Sequence, residues 1–233
     1  MANSIGERMK RNYESPSRFQ LTRRTPVIVR IDGRAFHTFT SKHFPGTFSQ
    51  KFHDAMVLAA IRTASEMQGF KLGYVQSDEA SFLLTDYDNL HTQPWFGYNQ
   101  SKVESISAST MTAAFARCMR LVGVTDLATF DARAFNIPED EVANYFLWRA
   151  KDWERNSLSM YTLRYFSHRD LQGVSSAGRH ELLHSEGKNW TRDLHTWEKN
   201  GTYITREGDT LEKVRSSYQR IEELWRASLK FET

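Results

Sequence analysis

The run 26-PVIVRIDGRAF-36 (Pro26–Phe36) decides the fold. Pro26 opens it, and four β-branched residues follow within five positions, a strand signature. Alternation puts Val27, Val29 and Ile31 on one face and Ile28, Arg30 and Asp32 on the other. The strand therefore delivers Arg30 and Asp32 to the same side. Gly33 follows at once, where the backbone turns or approaches a ligand closely. Further along, 72-LGYVQSDEASFLLT-85 has two short apolar runs separated by Ser77, Asp78 and Glu79, which reads as a β-hairpin with acids at its tip.

Between strand and hairpin, Phe52, Met56, Ala59, Ala60 and Met67 keep helical spacing, Ser49 is placed to cap the helix, and Gly69 supplies a stop. Beyond the hairpin, SISASTMTAAFA reads as a helix packed closely on a sheet, ATFDARAF as a strand, and the segment from Ile137 to Phe166 as a long helix with Pro138 near its start. Before Pro26, SIGERMKRNY gives a short helix with Ile5, Met9 and Tyr13 on one stripe. Strand–helix–hairpin–helix–strand is the split βαβ, ferredoxin-like order. The expectation is an α+β fold, an antiparallel sheet with helices mainly on one face.

The chain has 233 residues, 39% of them hydrophobic, enough to bury a substantial core. It has no apolar run near the ~18 residues that span a bilayer. Its charged N-terminus lacks the apolar stretch of a signal peptide. Cys118 is its single cysteine, which excludes a disulfide framework and a cysteine-rich zinc site. A cytoplasmic protein without membrane association is expected. Net charge is +3, but residues 1–34 carry eight Lys/Arg against three Asp/Glu, +5 in that segment alone. Such clustering suits either a polyanionic partner or a solvated helix face.

In a split βαβ sheet the first strand is central and neighbours the hairpin, so Asp32 and Asp78 are placed to converge. Hard oxygen ligands of this kind suit Mg²⁺, with Gly33 adding a carbonyl. The alternative is a pair of ordinary turn aspartates.

Five blocks in order and spacing, RIDGRAFHTFTSKHF, GYVQSDEASFLL, WF…SKVESISAS.MTAAF, FDARAF and NYFLWRAKDWERNS, resemble the tRNA-His guanylyltransferase family. The similarity runs from GERMKRNYE to about KNGTYI. It implies a polymerase-palm-like catalytic core over 1–137, including the basic N-terminal segment. A long helix and C-terminal extension follow over 138–233, the two forming one continuous unit. It implies two Mg²⁺ ions on Asp32, the Gly33 carbonyl and Asp78, with catalysis resting on Asp32, Asp78 and Glu79. Asp32, Gly33, Arg34, Ala35, Phe36, His37, Ser77 and Asp78 are the implied nucleotide contacts. The implied activity extends RNA in the 3′-to-5′ direction: ATP activates the 5′-monophosphate of a tRNA, and the 3′-hydroxyl of GTP or another NTP attacks it. Homotetramers are common in the family.

Within the family, the eukaryotic branch that adds one guanylate to tRNA-His shows His-Ile-Asn-Asn in the long helix. Here the same place reads Glu154-Arg155-Asn156-Ser157. That resembles the bacterial and archaeal Thg-like branch, which implies template-dependent repair of tRNA 5′ ends. A second departure is FPGTFSQKF, where the family lysine is missing and Lys42 is a candidate substitute.

Arg149, Asp152, Trp153, Asn156 and Met160 fall on one helical stripe. Arg149 either pairs internally with Asp152 or, with Asn156, reaches RNA or triphosphate. Arg30 and Lys199 are further candidates for that contact. Lys102, at a helix start, is a candidate phosphate ligand or a solvated lysine. Trp95, Phe96, Trp148 and Trp153 read as core or interface. Two other classes compete. A non-catalytic RNA-binding module leaves both acidic turns idle. A zinc hydrolase draws on His180-Glu181-x-x-His184, but Trp190 stands where one protease class needs a third histidine. Glu198 or Glu207 would have to serve as third ligand.

Overall fold

The computed structural model describes residues 4–205, 211–212 and 217–227. Helices α1 (Ile5–Met9), α2 (Phe36–His43), α3 (Gln50–Glu66), α4 (Gln100–Leu121), α5 (Val142–Thr162), α6 (Ser176–Ser185), α7 (Trp190–Asp193), α8 (Thr196–Asn200) and α9 (Tyr218–Ala227) surround one sheet. Its strands are β1 (Val27–Arg34), β2 (Phe70–Gln76), β3 (Glu79–Leu84), β4 (Thr129–Asn136), β5 (Thr202–Thr205) and β6 (Leu211–Glu212). The order is β4-β1-β3-β2-β5-β6, each neighbouring pair antiparallel. The first four positions are the ferredoxin-like arrangement that the element order implies.

The alternation in β1 holds. Val27, Val29 and Ile31 join the core under α3 and α4 with Met56, Ala60, Met111 and Phe115. Ile28 joins a second core with Leu72, Tyr74, Leu83, Phe146 and Trp225. Helices therefore cover both faces, correcting the expectation of one. The reason lies in the strands: β2 and β3 are buried at every position, so the face opposite α3 and α4 is itself apolar. Each such side chain contributes roughly 1.5–3 kcal/mol when fully covered. α5 and α9 provide that cover. By contrast, no residue of α1 or of the turns that follow it through Ser17 is buried, and Ile5 is 75% and Tyr13 68% exposed.

Local signals place the turns. Ser49 caps α3, its hydroxyl accepting from the Phe52 N–H at 3.3 Å. Gly69 has φ +82°, and a Cβ there would lie 2.1 Å from the Thr85 carbonyl oxygen. Only glycine fits both constraints. Gly33 works differently. β1 runs straight through it, pairing Gly33 with Phe130 and Arg34 with Thr129, and the chain turns at Ala35, φ +57°. A Cβ on Gly33 would stand 2.3 Å from the Phe36 ring, so close approach, not turning, requires glycine here. That ring in turn packs against Phe39, Phe52, Phe115 and Phe130.

Candidate nucleotidyl-transfer site

The sheet register assembles the site. Asp32 stands opposite Glu79 on β3 and opposite Asp131 on β4. One step down the strand, Arg30 stands opposite Ser81 and Arg133. The two rows lie on the α5 face. β2 and β3 connect through Ser77 and Asp78, and Ser77 takes the left-handed conformation, φ +47°. The Gly33 N–H donates to the Asp78 carbonyl at 3.1 Å, tying the turn to the end of β1.

The Asp78 carboxyl titrates above its ordinary range, first because it is buried and then because Asp32 and Glu79 add negative charge. Its own backbone N–H and the Ser77 hydroxyl partly offset this. Among the described residues neither Asp32 nor Asp78 is ion-paired with a Lys or Arg. Two converging, unneutralised carboxylates beside a backbone carbonyl fit a hard divalent cation that draws its remaining ligands from water and phosphate. They fall short of a cage: no group of three His, Cys, Asp or Glu that could hold a metal occurs among the described residues.

Glu79 is placed otherwise. Its carboxylate takes a bidentate pair from Arg149, Nε and Nη2 each 2.7 Å away, and accepts from Gln76 Nε2 at 3.3 Å. Arg149 also lies 3.3 Å from Asp152. Its guanidinium is raised in pKa: burial alone lowers it, and Glu79 and Asp152 more than reverse that. The expected internal pairing of Arg149 with Asp152 is present, and Glu79 is its closer, bidentate partner. Arg30 is different. Its Nε is buried without a hydrogen-bond partner, and Arg133, a second cation, faces it across the ladder.

A cavity of about 410 Å³ adjoins the turn, within the range of ligand pockets. Its walls include His37, Ser77, Phe44, Phe52, Trp153 and Trp197. Trp197 stacks on His53 at 4.3 Å, and Trp153 donates to the Trp197 carbonyl at 3.3 Å. The wall is thus strongly aromatic, with hydroxyl groups of Thr40, Ser41, Thr47 and Ser49 in the same lining.

One protein-family profile, described as tRNAHis guanylyltransferase, matches residues 6–138. The chain belongs to this family. It is a nucleotidyltransferase. A probable tRNA(His) guanylyltransferase of Dictyostelium discoideum is 32% identical over 203 residues, 79% of this chain and 75% of that protein. The tRNA(His) guanylyltransferase of Schizosaccharomyces pombe is 30% identical over 88% of this chain and 81% of its own. Among solved structures, a bacterial tRNA(His) guanylyltransferase-like protein in complex with ATP superposes with a TM-score of 0.89 at 42% identity, covering 97% of this chain and 99% of that one.

Against the family resemblance, the structure gathers Asp32, Gly33, Ser77 and Asp78 at one end of the sheet and puts His37 on the wall of the cavity that Ser77 also lines. Arg34 and Ala35 are exposed at that end, and Phe36 is buried beneath it. Lys102 is not in this group. α4 begins where Gln100 bonds the Ala134 carbonyl, and Ala134 pairs with Val29, three residues down β1 from Asp32. Lys102 sits there over the Phe96 ring, 5.9 Å from its centroid. Lys199 donates to the Thr191 carbonyl and Asn156 is exposed on α5. Lys42 is engaged by Asp126. Trp153, read as core, is buried yet forms cavity wall. Asp131 and Arg133 escaped the sequence reading, although alternation in FDARAF puts both on one face. His180 and His184 are exposed on α6. Glu198 caps α8 through the His195 N–H, and Glu207 lies outside the described residues.

Proposed function

We propose that the protein adds nucleotides to tRNA 5′ ends in the 3′-to-5′ direction, templated by the opposite strand, as a repair activity. The observation that carries it is the convergence of Asp32 and Asp78, unneutralised, beside an aromatic cavity. The solved relatives support ATP and GTP as substrates, since the similar bacterial proteins were captured with ATP and with GTP. The alternative of a dedicated enzyme adding one guanylate to tRNA-His is less supported, because Glu154-Arg155-Asn156-Ser157 replaces the pattern associated with it.

Asp32, Asp78 and the Gly33 carbonyl would hold Mg²⁺, two ions in the full site, which when bound steady the triphosphate and its departing pyrophosphate. The chain's own groups do the rest. The cavity walls hold a base in place, with Ser77 and His37 among the polar groups that line it. Arg30 and Arg133, neighbours across the β1–β4 ladder, offer a basic edge for a phosphate, with Asp131 3.9 Å from Arg133. Arg34 extends the same basic edge toward RNA. No helix among the described residues is long and apolar enough to cross a membrane. Exposed Leu58, Leu121 and Leu127 leave apolar surface for a homotetramer.

The test supplies a 5′-truncated, 5′-phosphorylated tRNA with ATP, NTPs and Mg²⁺. Labelled nucleotide is gained at the 5′ end in the order the opposite strand dictates. A single guanylate on tRNA-His alone would favour the dedicated enzyme, and no gain on any tRNA would sink both readings.

A further inference from the structure

The turn that carries Asp78 is held from two sides. From β1, the Gly33 N–H grips its backbone at 3.1 Å. From α5, Arg149 grips Glu79, the very next residue. Both of those side chains are only 10% exposed. Glu79 Oε1 accepts from Arg149 Nε and Gln76 Nε2, and Oε2 accepts from Arg149 Nη2. Both oxygens of this carboxylate are thus engaged, by α5 and by the end of β2. The carboxylate fixes the backbone between the turn and β3, directly across from Asp32.

Arg149 is itself held. Asp152 lies 3.3 Å away, and Arg155 holds Asp152 at 2.8 Å. The Trp148 ring lies 4.6 Å from the guanidinium carbon. A planar fork with two parallel hydrogen bonds fixes direction as well as distance, which a lysine cannot do.

We propose that Arg149, acting through Glu79, is a positioning residue that sets the Asp78 carboxylate against Asp32 and so sets the affinity of the pair for a divalent cation. This rests on the metal reading of the pair given above. Partners one step removed from a ligand typically govern about 10–100-fold in metal affinity. The competing account is that the buried pair only secures α5 to the sheet, in which case losing it lowers stability without touching the metal.

Mn²⁺ binding to the full chain, followed by electron paramagnetic resonance, separates these accounts. The set is the unaltered protein, Asp78→Asn and Arg149→Lys, with melting temperatures and the Mg²⁺ dependence of transfer measured alongside. Arg149→Lys keeps a charge for Glu79 but loses the fork. The expected result is Mn²⁺ affinity about tenfold or more weaker in Arg149→Lys. The Mg²⁺ needed for half-maximal transfer should rise by a similar factor, and the rate should recover at high Mg²⁺. Unchanged Mn²⁺ affinity overturns the inference, whatever the melting temperature does. Where Arg149→Lys does not fold, Glu79→Gln takes its place with the same expectation and the same overturning result. Mn²⁺ binding indifferent to Asp78→Asn removes the metal reading itself, and this inference falls with it.

Discussion

Two regions of this molecule carry the letters of a metal site, and the chain builds them in different ways. His180 and His184 sit four residues apart on α6, the spacing a zinc helix uses, yet both imidazoles are exposed. No third His, Cys, Asp or Glu joins them among the described residues. Asp32 and Asp78 are 46 positions apart in sequence and show no motif spacing at all. They meet because a central strand and a hairpin turn are stitched by the β1–β3 ladder and the Gly33–Asp78 bond. Local spacing measures what one helix can present. Convergence across a sheet measures what a fold can hold.

The sharpest way to break this contrast is substitution at both places. Asp78→Ala should cost several kcal/mol of transition-state stabilisation, on the order of a thousandfold in labelled-nucleotide transfer. His184→Ala should leave transfer within about twofold, as for a surface change away from any partner. A stoichiometric zinc ion in purified protein that His184→Ala removes would reverse the assignment.

Gly33→Ala comes next. Its methyl collides with Phe36, so about 1–3 kcal/mol of stability should go, with transfer falling further because Asp32 and the turn shift together. Chemical denaturation reads the first effect and transfer kinetics the second. Smaller is the pH and charge effect at Asp78. Its folded pKa is raised by burial and by Asp32, so its favourable contribution is complete below its ordinary carboxylate value. That contribution vanishes as pH rises through the higher folded value. At neutral pH the charged form therefore weakens the fold. Asp78→Asn should raise the melting temperature there, and Mg²⁺ should raise that of the unaltered protein but not of Asp78→Asn. Smallest is Ser49→Ala, which removes the α3 cap for about 1 kcal/mol. It lies on the cavity wall, so any change in KM for NTPs reports how closely the wall fits the base.

Much of the fold was legible because its signals are local. Alternation set the two faces of β1, and the Ser77–Asp78 break marked the hairpin. Ser49 and Gly69 marked the ends of α3. The second helical layer was legible in principle: Ile28, Leu72, Tyr74 and Leu83 share a face that needs covering. Which segment covers it depends on a crossing that periodicity does not encode. The same holds for Arg149. Its stripe mates are visible, but the partner that engages it, Glu79, is 70 residues away, and no spacing rule connects them. Gly33 reads in sequence as a turn or a close approach to a ligand, whereas β1 runs through it and the chain's own Phe36 is what approaches it. Asp131 and Arg133 needed only the register of β4 against β1, which a sequence alone leaves open.

The Phe36 ring beneath Gly33 has a consequence for how the protein fails. The floor of the site is also the roof of an aromatic cluster formed with Phe39, Phe52, Phe115 and Phe130. A random screen for heat-sensitive alleles should therefore return hits in that cluster as readily as at the acidic residues. Such alleles would keep every reacting group and would be suppressed by compensating volume changes elsewhere among the five rings.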